Sequence, residues 1–253
     1  ILFFNLQLSL IQENLKMFQC RNLYREDTPK YYLQSDYDLE CWTDEHSRWA
    51  YLLGLPGTIF WGVILPILTL YNIRKNKNKL EDERVRMKYS FIYRGYRSNR
   101  YYWEFVILIR KYLLISVAIF GSIRTPDFQI YSTLYIIWIA YLLQTRNKPY
   151  INDMLNRLEI LSLACAAIVN LTGLYFELIP RAEGVTEFFI VLAILCNVLF
   201  ILKWLKEFIY VQREKLINLL WKSKRLRTRL SSNKYLRKWI PIQDRINEDT
   251  SER

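Results

Sequence analysis

Five long apolar runs separate segments that are alternately rich and poor in basic residues. About 20 apolar residues in a helix, at a rise of about 1.5 Å each, cross the roughly 30 Å hydrocarbon layer of a bilayer. A soluble helix of that length carries charge along one stripe instead. The pattern therefore predicts a membrane protein with several crossings. The runs are Trp49–Asn72, Phe105–Ile123, Phe128–Thr145, Leu158–Phe176 and Val185–Leu205.

The distribution of Lys and Arg between the runs predicts the direction of threading. Basic connections stay on the cytoplasmic side of a membrane, or on the matrix side in an organelle. The connections rich in Lys and Arg, expected inside, are 73–104, 146–157 and 203–253. The connections poor in Lys and Arg, expected outside, are 20–48, 121–127 and 179–187.

The net charge of +12 is thereby concentrated on one predicted membrane face. Anionic lipids attract basic residues at such a face, so we expect membrane lipids as partners and no nucleic acid. The candidate contacts to anionic lipid are Arg94, Arg97, Arg100, Lys222, Lys224 and Arg225.

These features predict an all-α, polytopic transmembrane helical bundle with five full spans and the end of a sixth at the N-terminus. Residues 1–19 are expected to end a truncated membrane helix, 20–48 to form an outer loop, and 49–205 to form the bundle. Residues 206–253 are expected to form a basic cytoplasmic-side tail. Apolar residues at helical spacing among Lys and Arg predict a basic amphipathic helix there. This helix either lies on the membrane surface or extends the last span.

The cysteines fall into two groups. Cys20 and Cys41 share the predicted outer loop, where a disulfide would stabilise the fold by about 3 kcal/mol. His46 follows closely, so zinc is an alternative, but the spacing matches no standard zinc pattern and we predict no metal. Cys165 and Cys196 lie in predicted spans and are expected to be small packing residues.

Arg110 and Lys111 interrupt the second apolar run. If both lay at the interface, only Tyr112–Ile123 would remain in lipid, and that segment is too short to cross. Both cations must therefore lie below the inner surface, where each costs a few kcal/mol unless it reaches water or a partner. Glu104 and Glu159 enter from the same side. We predict an inner polar cluster of these four residues, with contact to lipid phosphates as the alternative.

Glu177 and Glu187 flank the last outer loop. They could form an acidic mouth that attracts cations, although such residues also mark the water-exposed end of a transmembrane helix. The sequence contains no phosphate-binding glycine loop, no paired-histidine metal motif and no plausible Cys/His nucleophile pair. We therefore predict a non-enzymatic protein without cofactors.

A set of short motifs carries a resemblance to known proteins. The motifs are Tyr93–Arg97 (YRGYR), Tyr101–Glu104 (YYWE), Arg110–Lys111, Asn147–Tyr150 (NKPY), Asn156–Glu159 (NRLE), Cys41–Trp42 and His46. Together they resemble the C-terminal membrane region of large cysteine-rich surface proteins of ciliates and other protists, a region distantly similar to TRP-like membrane proteins. The resemblance covers roughly residues 18–205 and implies that a large extracellular part precedes Ile1.

Three functions remain open. The first is a membrane module that anchors a larger surface protein in a plasma or ciliary membrane. The second is a structural or accessory subunit of a membrane complex with other proteins, including one in the mitochondrial inner membrane. The third is a TRP-like cation channel or channel subunit. A TRP-type pore needs a re-entrant loop between the last two spans, and Leu178–Thr186 is too short to hold one.

Overall fold

The computed structural model describes residues 2–22, 30–77, 82–121, 125–178 and 184–221. Most of these residues are helical, and seven helices lie within the described ranges. They are α1 (Leu2–Lys16), α2 (Asp44–Lys75), α3 (Glu83–Tyr93), α4 (Trp103–Phe120), α5 (Pro126–Asn147), α6 (Asp153–Leu178) and α7 (Val185–Trp221). The contacts divide the chain into two units, Ile1–Ala193 and Ile194–Arg253, with the boundary inside α7.

Three helices are long and apolar enough to cross a membrane: Asp44–Lys75, Asp153–Leu178 and Val185–Arg213. The other two predicted spans are also helices, but their composition is less apolar. Helix α4 carries three charged residues in 18, and tyrosines and glutamines dilute the apolar side chains of α5. The prediction of five full spans is thus supported for three.

Helix α7 continues without a break past Leu205 to Trp221. The last predicted span and the start of the predicted tail therefore belong to one helix, and no separate amphipathic helix begins at residue 206. Residues 222–253, which include Lys222, Lys224 and Arg225, lie outside the described residues.

Helix α2 changes its hydrogen-bonding pattern twice. The segments Ala50–Gly54 and Phe60–Ile64 are π-helical, and Pro56 and Pro66 follow them closely. Proline has no N–H to donate to the preceding turn, and a widened turn is one way in which a helix accommodates it. We attribute both π-helical segments of α2 to these prolines.

A carbonyl that the second π-helical segment leaves available is bound by α1. The Leu65 N–H donates to Phe60 O, and Pro66 has no N–H, so the Trp61 carbonyl can accept from another donor. The side chain of Gln7, which is fully buried, donates its Nε2–H to this carbonyl. Polar pairing of this kind fixes the position of one helix against another in lipid.

Two glycines of α2 allow α1 and the residues just after it to approach closely. A Cβ at Gly57 would lie 2.7 Å from Asn14 Oδ1, and a Cβ at Gly54 would lie 3.0 Å from the Phe18 ring. Small residues permit close packing of helices in lipid. The buried apolar cluster between α1 and α4 consists of Ile11, Leu15 and Ile119.

The prediction that the chain is all-α is wrong in the segment 20–48, which contains a three-stranded antiparallel sheet. The strands, in spatial order, are β1 (Cys20–Asn22), β2 (Tyr31–Leu33) and β3 (Asp36–Glu40). Leu33 pairs with Asp36 across a tight turn. Strands of three to five residues are too short to show the alternation by which strands are identified in a sequence.

Candidate functional site

Two connections on the predicted inner side, α3 to α4 and α5 to α6, pair through their backbones. They form one antiparallel bridge between Tyr96 and Tyr150. We call the paired segments, residues 95–97 and 149–151, the loop clasp. Its flanking bonds run from Arg97 N–H to Pro149 O (2.9 Å) and from Ile151 N–H to Gly95 O (3.2 Å).

The Arg97 side chain adds an ion pair to the loop clasp. Its Nη2 lies 3.2 Å from Asp153 Oδ1, and its Nε donates to Tyr150 O at 3.3 Å. Asp153 begins α6, where a carboxylate also interacts favourably with the helix dipole. The two charged side chains are 45% and 72% exposed. An ion pair this exposed contributes at most about 1 kcal/mol.

Asn156 connects the loop clasp to the helices behind it. The residue is 3% exposed. Its Oδ1 accepts from Tyr150 N–H at 3.1 Å and from Gln144 Nε2 at 3.3 Å. Its Nδ2 donates to Tyr150 O at 3.0 Å. Both polar atoms of this buried amide are therefore satisfied, and they hold the turn between α5 and α6 in place.

The side chains of Tyr96 and Tyr150 pack with ring centroids 5.0 Å apart. The Tyr96 hydroxyl donates to Glu104 Oε2 at 2.6 Å. Burial, together with the bond to Glu104, raises the pKa of Tyr96 far above its ordinary value. Burial and the negative charge of Glu159 raise the pKa of Tyr150 to about 12. Both phenols are therefore neutral at physiological pH, so Tyr96 remains a donor to its carboxylate.

Two members of the predicted inner polar cluster form an ion pair between α4 and α6. Arg110 Nη2 lies 2.6 Å from Glu159 Oε1, and the side chains are only 18% and 21% exposed. A charge alone at this depth of a helix bundle would be costly, and each partner lowers that cost for the other. The pair therefore explains how α4 accommodates a guanidinium group in an apolar run.

The other two members, Glu104 and Lys111, do not join this pair. Glu104 instead accepts from the hydroxyl of Tyr96. Lys111 is exposed. Successive residues of an α-helix point about 100° apart, so Lys111 faces away from α6 when Arg110 faces it. The structure therefore does not bring Lys111 into the predicted cluster, whereas Glu104 lies near the pair, since its charge and those of Arg110 and Glu159 all act on Tyr150.

The candidate contacts to anionic lipid have different surroundings. Arg97 is engaged in the loop clasp, and Arg100 Nη1 donates to Tyr102 OH at 3.2 Å. Arg94 is exposed and lines a cavity beside α3. The remaining three candidates lie outside the described residues. Among the described candidates, Arg94 is thus the one whose charge is available to a ligand.

On the predicted outer side, Cys20 and Cys41 form a disulfide with Cα atoms 6.2 Å apart. Both cysteines are buried and pack against Leu33 of β2. The bond connects β1 to the residue that follows β3, and so closes the small sheet. We call the sheet, its disulfide and His46 the outer brace.

His46 attaches the outer brace to the helices. Its Nδ1 accepts from Trp42 N–H at 3.1 Å, which places the ring hydrogen on Nε2, and Nε2 donates to Met17 O at 3.0 Å. The first bond supports Trp42, whose φ of 66° is unusual for a bulky residue. The Thr43 hydroxyl caps the start of α2 by accepting from His46 N–H.

The ligand atoms of Cys20, Cys41 and His46 lie within 4.8 Å of one another. The two sulfur atoms are bonded to each other, however, and both nitrogens of His46 have hydrogen-bond partners. Zinc needs thiolates and a free imidazole nitrogen. The oxidised outer brace therefore does not offer a zinc site.

Glu177 and Glu187, the predicted acidic mouth, are exposed near the end of α6 and the start of α7. Neither side chain has a hydrogen bond or an ion pair to another residue in the described part of the chain. Residues 179–183, which separate the two helices, are not described. The acidic mouth stays a prediction.

Sequence reasoning missed the residues that organise the loop clasp, among them Gln144 and Asn156. The available signal was the placement of the YRGYR motif and of the NKPY and NRLE motifs in two basic connections of the same predicted side. Arg97 and Tyr150 are 53 positions apart. Periodicity and spacing report neighbours within one element, so they could not show that these connections meet.

Comparison with known proteins gives a distant and partial similarity. Over 132 residues the chain is 26% identical to cysteine repeat modular protein A of Toxoplasma gondii. The matched region is half of this chain but only 4% of that protein's length. No protein-family model and no solved structure matches the chain. The similarity fits the expected likeness to cysteine-rich protist surface proteins, whereas a likeness to ciliate or TRP-like proteins is not shown.

Proposed function

We propose that this chain is a non-enzymatic multi-pass membrane module that anchors a larger surface protein. The observation that carries the proposal is the position of the outer brace. Its disulfide ends at Cys41, and the first helix apolar enough to cross a membrane begins at Asp44. A covalently closed unit thus continues directly into a crossing helix. Disulfides persist on the oxidising side of a membrane, which is the side that the distribution of basic residues assigns to segment 20–48.

In the proposed topology α2, α4, α5, α6 and α7 each cross the membrane. The 18 residues of α4 rise about 27 Å, close to the thickness of the hydrocarbon layer. The ion pair between Arg110 and Glu159 lowers the cost of its charges. The loop clasp and the basic connections then lie inside, and the outer brace lies outside.

The similarity to a cysteine repeat modular protein supports an anchoring role. The matched stretch is 4% of that protein's length, which suits a small membrane module within a much larger chain. We propose that the present chain performs this role in a plasma or ciliary membrane, with the segment that carries Cys20 and Cys41 outside.

Cysteine labelling tests both the topology and the membrane. In a C165A/C196A background, single cysteines replace Asp38, Ser90 or Thr125, and cells are treated with a membrane-impermeant maleimide. We expect Asp38→Cys and Thr125→Cys to be labelled on intact cells, and Ser90→Cys only after permeabilisation. Labelling of Thr125→Cys only after permeabilisation would reduce the crossings to three. A complete lack of labelling on intact cells would favour an organellar membrane.

A second candidate is an accessory subunit of a membrane complex. Only 17% of the most apolar window of α2 is buried within the chain. The exposed apolar residues of α2 could be covered by helices of other subunits instead of by lipid. Light scattering after mild extraction separates the two functions, because a second polypeptide at fixed stoichiometry would favour the subunit. Current recordings in planar bilayers test the TRP-like cation channel, which stays a prediction.

A further inference from the structure

A cavity of about 230 Å³ lies beside the loop clasp. One wall is a face of α3, and the other is formed by the connections on either side of the clasp bridge. The residues from α3 and its end are Arg86, Ser90, Tyr93 and Arg94. The residues from the connections are Tyr96, Ser98, Tyr101 and Ile151.

The cavity face of α3 is set by helical spacing. The residues that α3 contributes recur at intervals of three and four positions, which places them on one side of a helix. Two further basic residues of α3, Arg84 and Lys88, occupy the opposite side of the helix. The charge on the cavity face is therefore separable from the charge on the rest of α3.

The guanidinium groups of Arg86 and Arg94 are exposed and have no side-chain partner in the part of the chain that the structure describes. No carboxylate is among the residues that line the cavity. The ammonium group of Lys77 lies 5.7 Å from the centre of the Tyr101 ring and adds positive charge at the wall. Two arginines without a side-chain partner among the described residues, beside the hydroxyls of Ser90 and Ser98, form a donor set that suits the oxygens of a phosphate group.

We propose that this cavity binds the phosphorylated headgroup of an anionic membrane lipid. Its volume of about 230 Å³ is many times the roughly 15 Å³ that one water molecule needs on the same measure, so a group much larger than water can enter. An exposed apolar side chain at the cavity favours a lipid over a soluble phosphate compound, because Ile151 lines the cavity and is 63% exposed. Basic pockets on the inner side of membrane helices bind such headgroups. The inference rests on the proposed topology for the side to which the cavity opens.

Binding to the whole chain in nanodiscs tests the proposal. Discs contain phosphatidylcholine alone, with phosphatidylserine, or with a phosphatidylinositol phosphate, and native mass spectrometry measures the lipid retained. We expect selective retention of the phosphatidylinositol phosphate, which carries a phosphomonoester. The variant R86Q/R94Q should lower this retention by about tenfold or more, since hydrogen bonds to charged groups are the strong ones. The control R84Q/K88Q removes the same charge from the opposite face and should lower retention by about twofold or less.

If the two double variants lose lipid retention equally, diffuse surface charge explains the retention and the proposal is overturned. Equally tight binding of a soluble inositol phosphate to phosphatidylcholine discs would assign the cavity to a soluble ligand and overturn the lipid assignment. If R86Q/R94Q does not fold, Ser90→Asp retains both arginines and should weaken binding strongly by repulsion, whereas Ser90→Ala removes one neutral hydroxyl and should weaken binding much less. Selective binding combined with labelling of Ser90→Cys on intact cells would refute the topology but leave the headgroup site intact.

Discussion

The outer brace and the loop clasp fasten the same chain in opposite ways. The brace joins two cysteines 21 positions apart by one covalent bond. The clasp joins residues 53 positions apart by a hydrogen bond and residues 56 positions apart by an exposed ion pair. A disulfide constrains the unfolded chain but is lost in one step on reduction. A distributed network loses little with one exposed contact and much more when a buried group loses its partner.

The difference agrees with the chemistry expected on the two sides of a membrane. Disulfides do not persist in a reducing cytosol, so a fastening on the inner side must be built from hydrogen bonds, ion pairs and packing. On the proposed inner side, the buried amide of Asn156 and the pair of Arg110 with Glu159 serve this purpose. Each region therefore has its own mode of failure, and substitutions can separate them.

Arg110→Met, on the proposed inner side, should have the largest effect. It leaves Glu159 little exposed and without its partner, and breaking a buried ion pair in this way costs about 3 kcal/mol or more. Thermal unfolding in detergent micelles measures the loss. The double variant R110M/E159M replaces both charges with apolar side chains and should recover most of the stability. A double variant as unstable as the single one would contradict the interpretation that the unpaired carboxylate is the cause.

The same ion pair shows how far sequence reasoning reaches. A charge within an apolar run is visible in the sequence, and its need for a partner points to the few carboxylates that enter from the same side. The direction in which each side chain points is not visible. Lys111 is excluded by its position on the helix, and Glu104 is engaged by Tyr96, a contact that depends on how a connection folds back.

The positions of five long helices and the pairing of Cys20 with Cys41 could be predicted from the sequence for similar reasons. Each follows from a local pattern, such as a run of residues or two cysteines in one short loop. The sheet and the loop clasp were out of reach, because the strands have only three to five residues and the connections meet through tertiary contact. The all-α prediction therefore failed where local patterns are short, and the prediction of five full spans is supported for three helices.

The variant C20S/C41S should have the next largest effect and should weaken only the outer brace. Loss of this disulfide is expected to cost about 3 kcal/mol. Hydrogen exchange should show lost protection in the segment 30–49 and unchanged protection in the loop clasp. The control C165A/C196A should keep the response of the natural chain to a reductant. Lost protection in the clasp of C20S/C41S would show that the two fastenings are coupled.

His46→Phe tests whether the outer brace also depends on hydrogen bonds. The substitution removes the bonds to Trp42 N–H and Met17 O, and leaving these groups without a partner should cost about 2 kcal/mol. His46→Asn places an acceptor near the position of Nδ1 and should recover part of the loss. Urea unfolding measures both variants. If they are as stable as the natural chain, the disulfide alone holds the brace.

Tyr150→Phe should have the smallest effect at neutral pH, about 1 kcal/mol for the hydrogen bond between the Tyr150 and Tyr96 side chains, and a distinctive effect in alkali. The pKa of Tyr150 is raised from 10.0 to about 12 in the folded chain. Its contribution to stability is therefore complete below pH 10 and is lost as the pH rises towards 12, because the unfolded chain releases the proton first.

The melting temperature of the natural chain should consequently fall more between pH 8.5 and about pH 11 than that of Tyr150→Phe, which has no proton to release at this position. Tyr37→Phe is the matched control on the outer side, because Tyr37 is 48% exposed in β3. Its alkaline profile should follow that of the natural chain. Alkaline loosening that begins at Tyr150 should reach the loop clasp and spare the outer brace, because the brace is closed by a covalent bond. If the melting temperatures of all three proteins fall in parallel with pH, Tyr150 is not the origin of the alkaline loss.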